Sequence, residues 1–201
     1  MTARYLAFEG CEGCGKSTHA AALAADLGAV VTREFGGTPI GERIRAILLD
    51  VAHRELTPKA EALLIAADRA QHLAEIVEPA LAAGRHVVSD RSVYSSLAYQ
   101  GYARGLPLDD IRSFNEWAIG GRWPDLVVFL DVPVPVLAHR MRNRRLDRIE
   151  SEPAEFHERV RNGFCEMAAA DPAHWVVVAG DQPPADVALA VRAAVRERLG
   201  Q

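Results

Sequence analysis

Two observations predict a three-layer α/β fold built on a parallel sheet. First, five short, valine-rich apolar runs alternate with helix-length segments: "YLAF" (5–8), "AVVT" (29–32), "HVVSD" (86–90), "LVVFLD" (126–131) and "WVVVA" (175–179). Their nearly continuous apolar character predicts strands buried on both faces of a parallel sheet. Second, the order β-α-β-α-α-β-α-α-β-α-α-β-α places helices on both sides of such a sheet.

The helices can be justified in turn. Residues 17–27 are alanine-rich and stop at Gly28, a C-cap residue. "PIGERIRAILLD" (39–50) has helical apolar spacing, with Pro39 in the first turn. "PKAEALLIAADRAQHLAEIVEPALAAG" (58–84) is long, and Pro79 should kink or divide it. Segments 107–119, 133–143, 153–170 and 183–199 complete the set. With no repeat, low-complexity tract or linker, residues 1–201 read as one domain.

Composition narrows the function. Hydrophobic residues are 49% and charged residues 25% of 201, an ordinary globular balance. The net charge of −4 disfavours nucleic acid as a general partner. No apolar run approaches the ~18 residues of a membrane span, so no membrane partner is expected. "MTARYLAFEG" shows no apolar h-region or cleavage site, so no signal peptide is expected. Three cysteines, an odd count, do not make a disulfide framework, and a reducing cytoplasm is the expected location.

"GCEGCGKST" (10–18) follows the first strand and opens the first helix. Gly10, Gly15, Lys16 and Ser17 fit G-x-x-x-x-G-K-[ST], a loop whose backbone N–H groups cradle phosphates at a helix N-terminus. Lys16 would reach the β- and γ-phosphates and Ser17 would hold Mg²⁺. The motif indicates a nucleoside triphosphate site without separating kinase, GTPase and ATPase. The same stretch contains C-x-x-C, Cys11 and Cys14. A zinc site needs more ligands than Cys165 supplies, and a thioredoxin-type site would not share its turn with a phosphate loop. The two thiols read as loop filler or as a redox-sensitive switch, since a helix N-terminus lowers thiol pKa.

Asp90 ends the third apolar run, where an acidic residue helps hold Mg²⁺ in loop NTPases. Arg91 beside it could grip a phosphate bidentately. The alternative is a structural Asp–Arg pair at a strand end.

Taken together, "FEGCEGCGKST" (8–18), "TREFGGTPIGERIRAILLD" (32–50), "AADRAQH" (66–72), "DRSVYSSLAYQG" (90–101), "PDLVVFLDV" (124–132) and "LDRIE" (146–150) resemble a thymidylate kinase of the bacterial kind over essentially the whole chain. The resemblance implies a three-layer P-loop NTPase fold with a five-stranded parallel sheet flanked by helices and an arginine-rich lid. It also implies transfer of the γ-phosphate of ATP to dTMP with Mg²⁺, and a homodimer. Gly10, Cys11, Glu12, Gly13, Cys14, Gly15, Lys16, Ser17 and Thr18 would surround ATP. Ser17 and Asp90 would hold the metal. Glu12 would also face the acceptor sugar. Arg91 and Arg69 would hold the acceptor monophosphate, Ser96 and Gln100 the thymine edge, and Tyr99 would pack on the deoxyribose.

"HRMRNRRLDR" (139–148) packs five arginines into ten residues. It reads as a solvated basic face, a local nucleic-acid patch, or a flap closing over ATP. The flap, about 139–150, is preferred: the phosphate loop holds no arginine, and relatives of that kind place the catalytic arginine in the lid. Arg142, Arg144 and Arg148 are the candidates, with Arg148 first.

Two positions depart from the family pattern. Phe35 stands in "REFGG" for the usual proline, and Ile65 stands for the usual phenylalanine before "AADR". A swap is expected, with Phe35 supplying the aromatic surface that Ile65 lacks. Drift, with Phe35 packed on the core, is the alternative. Two rival functions remain. One is a deoxynucleoside kinase phosphorylating thymidine, in which Glu9 would be the general base. The other is a P-loop nucleotide-binding regulator.

Overall fold

The computed structural model describes residues 2–200. The chain runs β1 (Tyr5–Glu9), α1 (Lys16–Leu27), β2 (Val30–Arg33), α2 (Pro39–Leu49), α3 (Pro58–His72), α4 (Glu78–Ala82) and β3 (Val87–Asp90). It continues α5 (Val93–Ser96), α6 (Leu108–Ile119), β4 (Leu126–Asp131), α7 (Val134–Met141), α8 (Ala154–Ala170), β5 (Trp175–Ala179) and α9 (Pro184–Leu199). The five strands form one parallel sheet in the order β2-β3-β1-β4-β5. Every expected strand is present within a residue or so of its expected ends.

Burial on both faces holds for β1, β3 and β4, apart from the last residues of β3 and β4. It fails for β2 and β5, where Val31 is 54% and Val177 58% exposed. Both strands are sheet edges, so fewer helices cover them.

The long 58–84 segment divides as expected, but through a π-helical turn, Leu73–Val77, placed just before Pro79. Proline has no N–H for the carbonyl four residues back and crowds it, and the wider turn accommodates that loss. A second π-helical stretch, Leu97–Ala103, continues α5 and was not anticipated. It matters because it carries Tyr99 and Gln100. α8 packs against it so closely that a Cβ on Gly163 would lie 2.7 Å from the Tyr102 ring. Phe156 and Phe164 of α8 flank the Tyr99 ring at 6.2 and 6.3 Å between centroids.

The sheet reverses its direction of growth at β1: the chain passes to β2 and β3 on one side, then to β4 and β5 on the other. In open α/β sheets ligands bind beyond the strand C-termini at that point. Register does the alignment. Phe8 of β1 lies opposite Asp90 of β3, so the loop after β1 and the segment after β3 leave the sheet side by side. Among the described residues no helix is long and apolar enough to cross a membrane.

Candidate active site

The loop after β1 needs glycine at its entrance. Gly10 has φ +140°, and a Cβ there would lie 2.7 Å from the Leu130 carbonyl oxygen and 2.9 Å from Cys14 Sγ. Gly15 caps α1 with no side-chain hydrogen bond, so the first N–H groups of the helix stay open to an anion. Lys16 is buried and folds back, its Nζ donating to the carbonyls of Gly10 (3.1 Å) and Cys11 (2.8 Å). Ser17 Oγ donates to Asp90 Oδ2 at 2.5 Å, joining the two residues expected at the metal.

Arg91 occupies the centre. Its φ of +77° is unusual for a side-chain-bearing residue. The backbone is pinned on both sides: its N–H donates to Phe8 O (2.9 Å), and Ser89 Oγ donates to its carbonyl (2.7 Å). The guanidinium donates to Gly10 O, Ser95 Oγ, Tyr99 Oη (3.1 Å) and Glu12 Oε1 (2.7 Å). Tyr99 Oη donates to the same carboxylate at 2.7 Å. Burial opposes ionisation of Glu12, but Arg91 and Lys16 outweigh it, and the carboxyl titrates below the ordinary range.

At the far end, Phe35 and Ile65 line the same cleft with Ser96, Tyr99 and Gln100. Phe35 packs partly on the core and carries the Arg45 guanidinium 5.1 Å from its ring centroid. The Glu34–Phe35 peptide is cis. Arg69 lies behind this wall, 1% exposed. It donates to Glu34 Oε2 (2.7 Å), Ser96 Oγ (2.9 Å), Asn115 Oδ1 and Ser92 O (3.1 Å). Four of its five N–H groups are therefore bound to the protein. Glu34 also accepts from Tyr5 and pairs with His72. Burial resists its ionisation, yet Arg69 and His72 hold its carboxyl below the usual range.

The cleft thus joins the open N-terminus of α1 to an aromatic and amide wall, with an arginine between. A family model described as thymidylate kinase matches residues 8–191. The chain belongs to the thymidylate kinase family. It is 47% identical to the thymidylate kinase of Desulforudis audaxviator, covering 99% of this chain and 93% of that one. It is 46% identical to that of Trichlorobacter lovleyi (97% and 98%) and 45% identical to that of a Synechococcus species (97% and 95%).

The three candidates of the arginine-rich segment, 139–148, lie in different surroundings. Arg148, the first candidate for the transferring group, points elsewhere. Its Nη2 donates to Glu61 Oε2 at 2.5 Å and its Nε to Leu48 O at 2.8 Å. A buried carboxylate demands a cation, and that demand holds Arg148 away from the cleft. Arg142 is exposed and lies against the His139 ring. Arg144 is the candidate that lines the cleft, paired with Glu150 at 3.4 Å.

Cys11 and Cys14 are free thiols buried behind the loop. The expected lowering of thiol pKa does not occur at Cys11. Burial pushes it up, and the neighbouring Glu12 adds to that. Sγ of Cys11 donates to the His157 carbonyl, and Cys14 Sγ accepts from Lys16, so both act as packing groups.

Sequence reasoning missed Glu34, Glu61, His72, Arg104 and Arg140. The last donates to the carbonyls of Gly13 and Gly180, tying the phosphate loop to the turn after β5. A signal for Glu61 and His72 existed. With Ile65 and Arg69 they recur at intervals of four, four and three, one face of a helix that also carries buried alanines.

Proposed function

We propose that this chain transfers the γ-phosphate of ATP to dTMP, giving dTDP and ADP. The observation that carries the reading is the continuity of one cleft from the open N-terminus of α1, past Arg91, to Phe35, Ser96, Tyr99 and Gln100. Lys16, Ser17 and Thr18, with the loop from Gly10 to Gly15, take the donor phosphates. Arg91 takes the acceptor phosphate; Arg69, expected to share it, is committed to Glu34, Ser96, Asn115 and Ser92 and supports the wall at the base end instead. Tyr99 packs on the deoxyribose, and Phe35 supplies the aromatic surface for the base.

The chemistry needs little beyond this. The acceptor oxygen is already anionic, so positioning and charge neutralisation carry the reaction, without a strong base. Glu12 holds Arg91 until the acceptor phosphate arrives and then faces the sugar. Arg144 approaches the transferring group as the 139–150 segment closes. Ser17 and Asp90 suit Mg²⁺: both are hard oxygen donors and they touch. No group of three or more His, Cys, Asp and Glu among the described residues could hold a metal by itself, which fits a cation completed by phosphate oxygens and water. When bound, the cation would neutralise developing charge on the phosphates.

The thymidine kinase alternative is disfavoured by Glu9. Its oxygens accept from Ser92 N (2.8 Å), Ser92 Oγ (2.7 Å) and Ser95 Oγ (2.6 Å), and it is sealed from the cleft. A general base must reach a substrate hydroxyl. A homodimer is supported by large apolar side chains left open on two packed helices, Leu63 of α3 (58% exposed) and Trp117 of α6 (87%). Light scattering on the purified protein tests it. One domain acting in the cytoplasm, with reduced thiols, completes the proposal.

The deciding experiment is ADP release with ATP and Mg²⁺ against dTMP, dUMP, dCMP, dGMP, UMP and thymidine. The reading expects dTMP to be the best acceptor. Turnover with thymidine but not dTMP favours the rival kinase. Hydrolysis unaffected by any acceptor favours the regulator.

A further inference from the structure

Gln100 sits in the wall of the cleft, and its Nε2 donates to Glu61 Oε1 at 2.8 Å. A glutamine amide has the same shape either way round, so its partner decides which end faces where. That partner is a carboxylate, 1% exposed. Burial alone favours the protonated form of Glu61. Arg104, Gln100 and Arg148 outweigh burial and hold the group below the ordinary carboxylate range. Arg104 donates to Oε1 and Oε2 at 3.2 Å each, and Arg148 to Oε2 at 2.5 Å. An ionised carboxylate accepts and never donates. Gln100 must therefore turn its NH₂ to Glu61 and its oxygen away. Among the described residues no group donates to that oxygen.

We propose that Glu61 sets pyrimidine selectivity as a positioning residue: it forces Gln100 to offer the base an acceptor, so the site takes a base carrying N3–H and rejects one carrying an N3 lone pair. This rests on the dTMP reading above and adds a residue that touches no substrate. The neighbouring Ser96 Oγ, which lines the same cleft, accepts from Arg69 at 2.9 Å and keeps its own O–H to donate, so the wall presents an acceptor and a donor together. Thymine offers N3–H and the O4 acceptor, the complementary pair. Cytosine offers the N3 lone pair and an N4 amino group, so like meets like at both positions. Sites built to hydrogen-bond a substrate group reject analogues that cannot supply it by about 10⁴–10⁵-fold.

Glu61→Gln tests the assignment. The substituted amide keeps the shape but can donate as well as accept, which frees Gln100 to turn. The ratio of kcat/KM for dTMP to kcat/KM for dCMP is expected to fall about tenfold or more. KM for dTMP should rise and KM for dCMP fall, with KM for ATP little changed. An unchanged ratio, or equal losses for both acceptors, overturns the proposal. Because Arg104 and Arg148 lose their carboxylate in this variant, a measurement on the unaltered protein stands beside it. The Gln100 side-chain NH₂ signals, assigned by their loss in Gln100→Met, should be shifted downfield and slow to exchange with and without dTMP. Exchange at solvent rates, or transfer of the NH₂ bond to bound dTMP, overturns it. The two readings fail separately. If the unaltered protein does not phosphorylate dTMP, the proposed function falls and the inference with it. If it does, and the Glu61→Gln ratio is unchanged, only the role of Glu61 falls.

Discussion

Replacing Tyr99 with phenylalanine removes one oxygen and leaves the ring between Phe156 and Phe164. That oxygen donates to Glu12 at 2.7 Å and accepts from Arg91 at 3.1 Å. A hydrogen bond to a charged partner contributes about 1.5–3 kcal/mol. Glu12 keeps its 2.7 Å bond from Arg91, so the lower part of that range applies, about 2 kcal/mol. For a chain of this length that lowers Tm by about 4–8 °C. The sign of the pH dependence follows from Glu12. Its carboxyl is depressed in the folded state, where Arg91 and Lys16 outweigh burial, so the ionic stabilisation is present above the unfolded value, about 4.3, and lost as pH falls through the lower folded value. Urea denaturation of both proteins from pH 3.5 to 8 should show a level penalty above about pH 5 that shrinks below about pH 4. A neutral-pH penalty under about 0.5 kcal/mol, or one that grows with acid, refutes the role given to this hydroxyl.

Phe35→Ala should raise KM for dTMP about tenfold, from loss of an aromatic contact contributing about 1–1.5 kcal/mol; an unchanged KM disproves the aromatic swap. Arg144→Ala should lower kcat about 10²–10³-fold with little change in Tm. Arg148→Ala should instead destabilise the protein by about 2–3 kcal/mol, since Glu61 loses a charged donor. The opposite pattern would restore Arg148 as the catalytic arginine. Cys11 and Cys14 should react with a thiol reagent only when the protein unfolds, and loss of activity on mild oxidation of the folded enzyme would revive the redox switch.

The strands were legible because parallel strands buried on both faces leave an unbroken valine signature, and β1 and β4 carry it in full. β2 and β5 carry the same signature but lie at the edges, since strand order is a property of crossovers and not of local composition. The phosphate loop was legible because its chemistry is fixed within nine residues. Of the two readings of its thiols, loop filler fits their burial; the switch arose as an alternative because a helix N-terminus is visible in the sequence and burial is not. Arg69 was identified, but its role depends on Glu34, Ser96 and Asn115, which lie 35, 27 and 46 positions away. The lid arginines are separated by one to three residues, so their spacing alone cannot say which one a buried carboxylate claims. That carboxylate, Glu61, sits 87 positions earlier.

These distant pairings share a logic. Glu34 holds Arg69, Glu12 holds Arg91, and Glu61 holds Arg104 and Arg148. A cleft meant for two polyanions needs arginines already in place, yet unpaired arginines would repel one another and resist burial. A carboxylate beside each neutralises it in advance and fixes its plane. The pairs differ in how easily they part. Glu34–Arg69 is sealed in the protein, and Arg104 and Arg148 meet Glu61 outside the lining of the cleft. The Arg91–Glu12 pair has side chains 14% and 15% exposed at the mouth of the phosphate loop. A phosphate can reach it and exchange one bond for another at little net cost, because the entering anion replaces the carboxylate as partner. Among these pairs, position relative to the cleft, rather than strength of the bond, separates a binding arginine from a structural one.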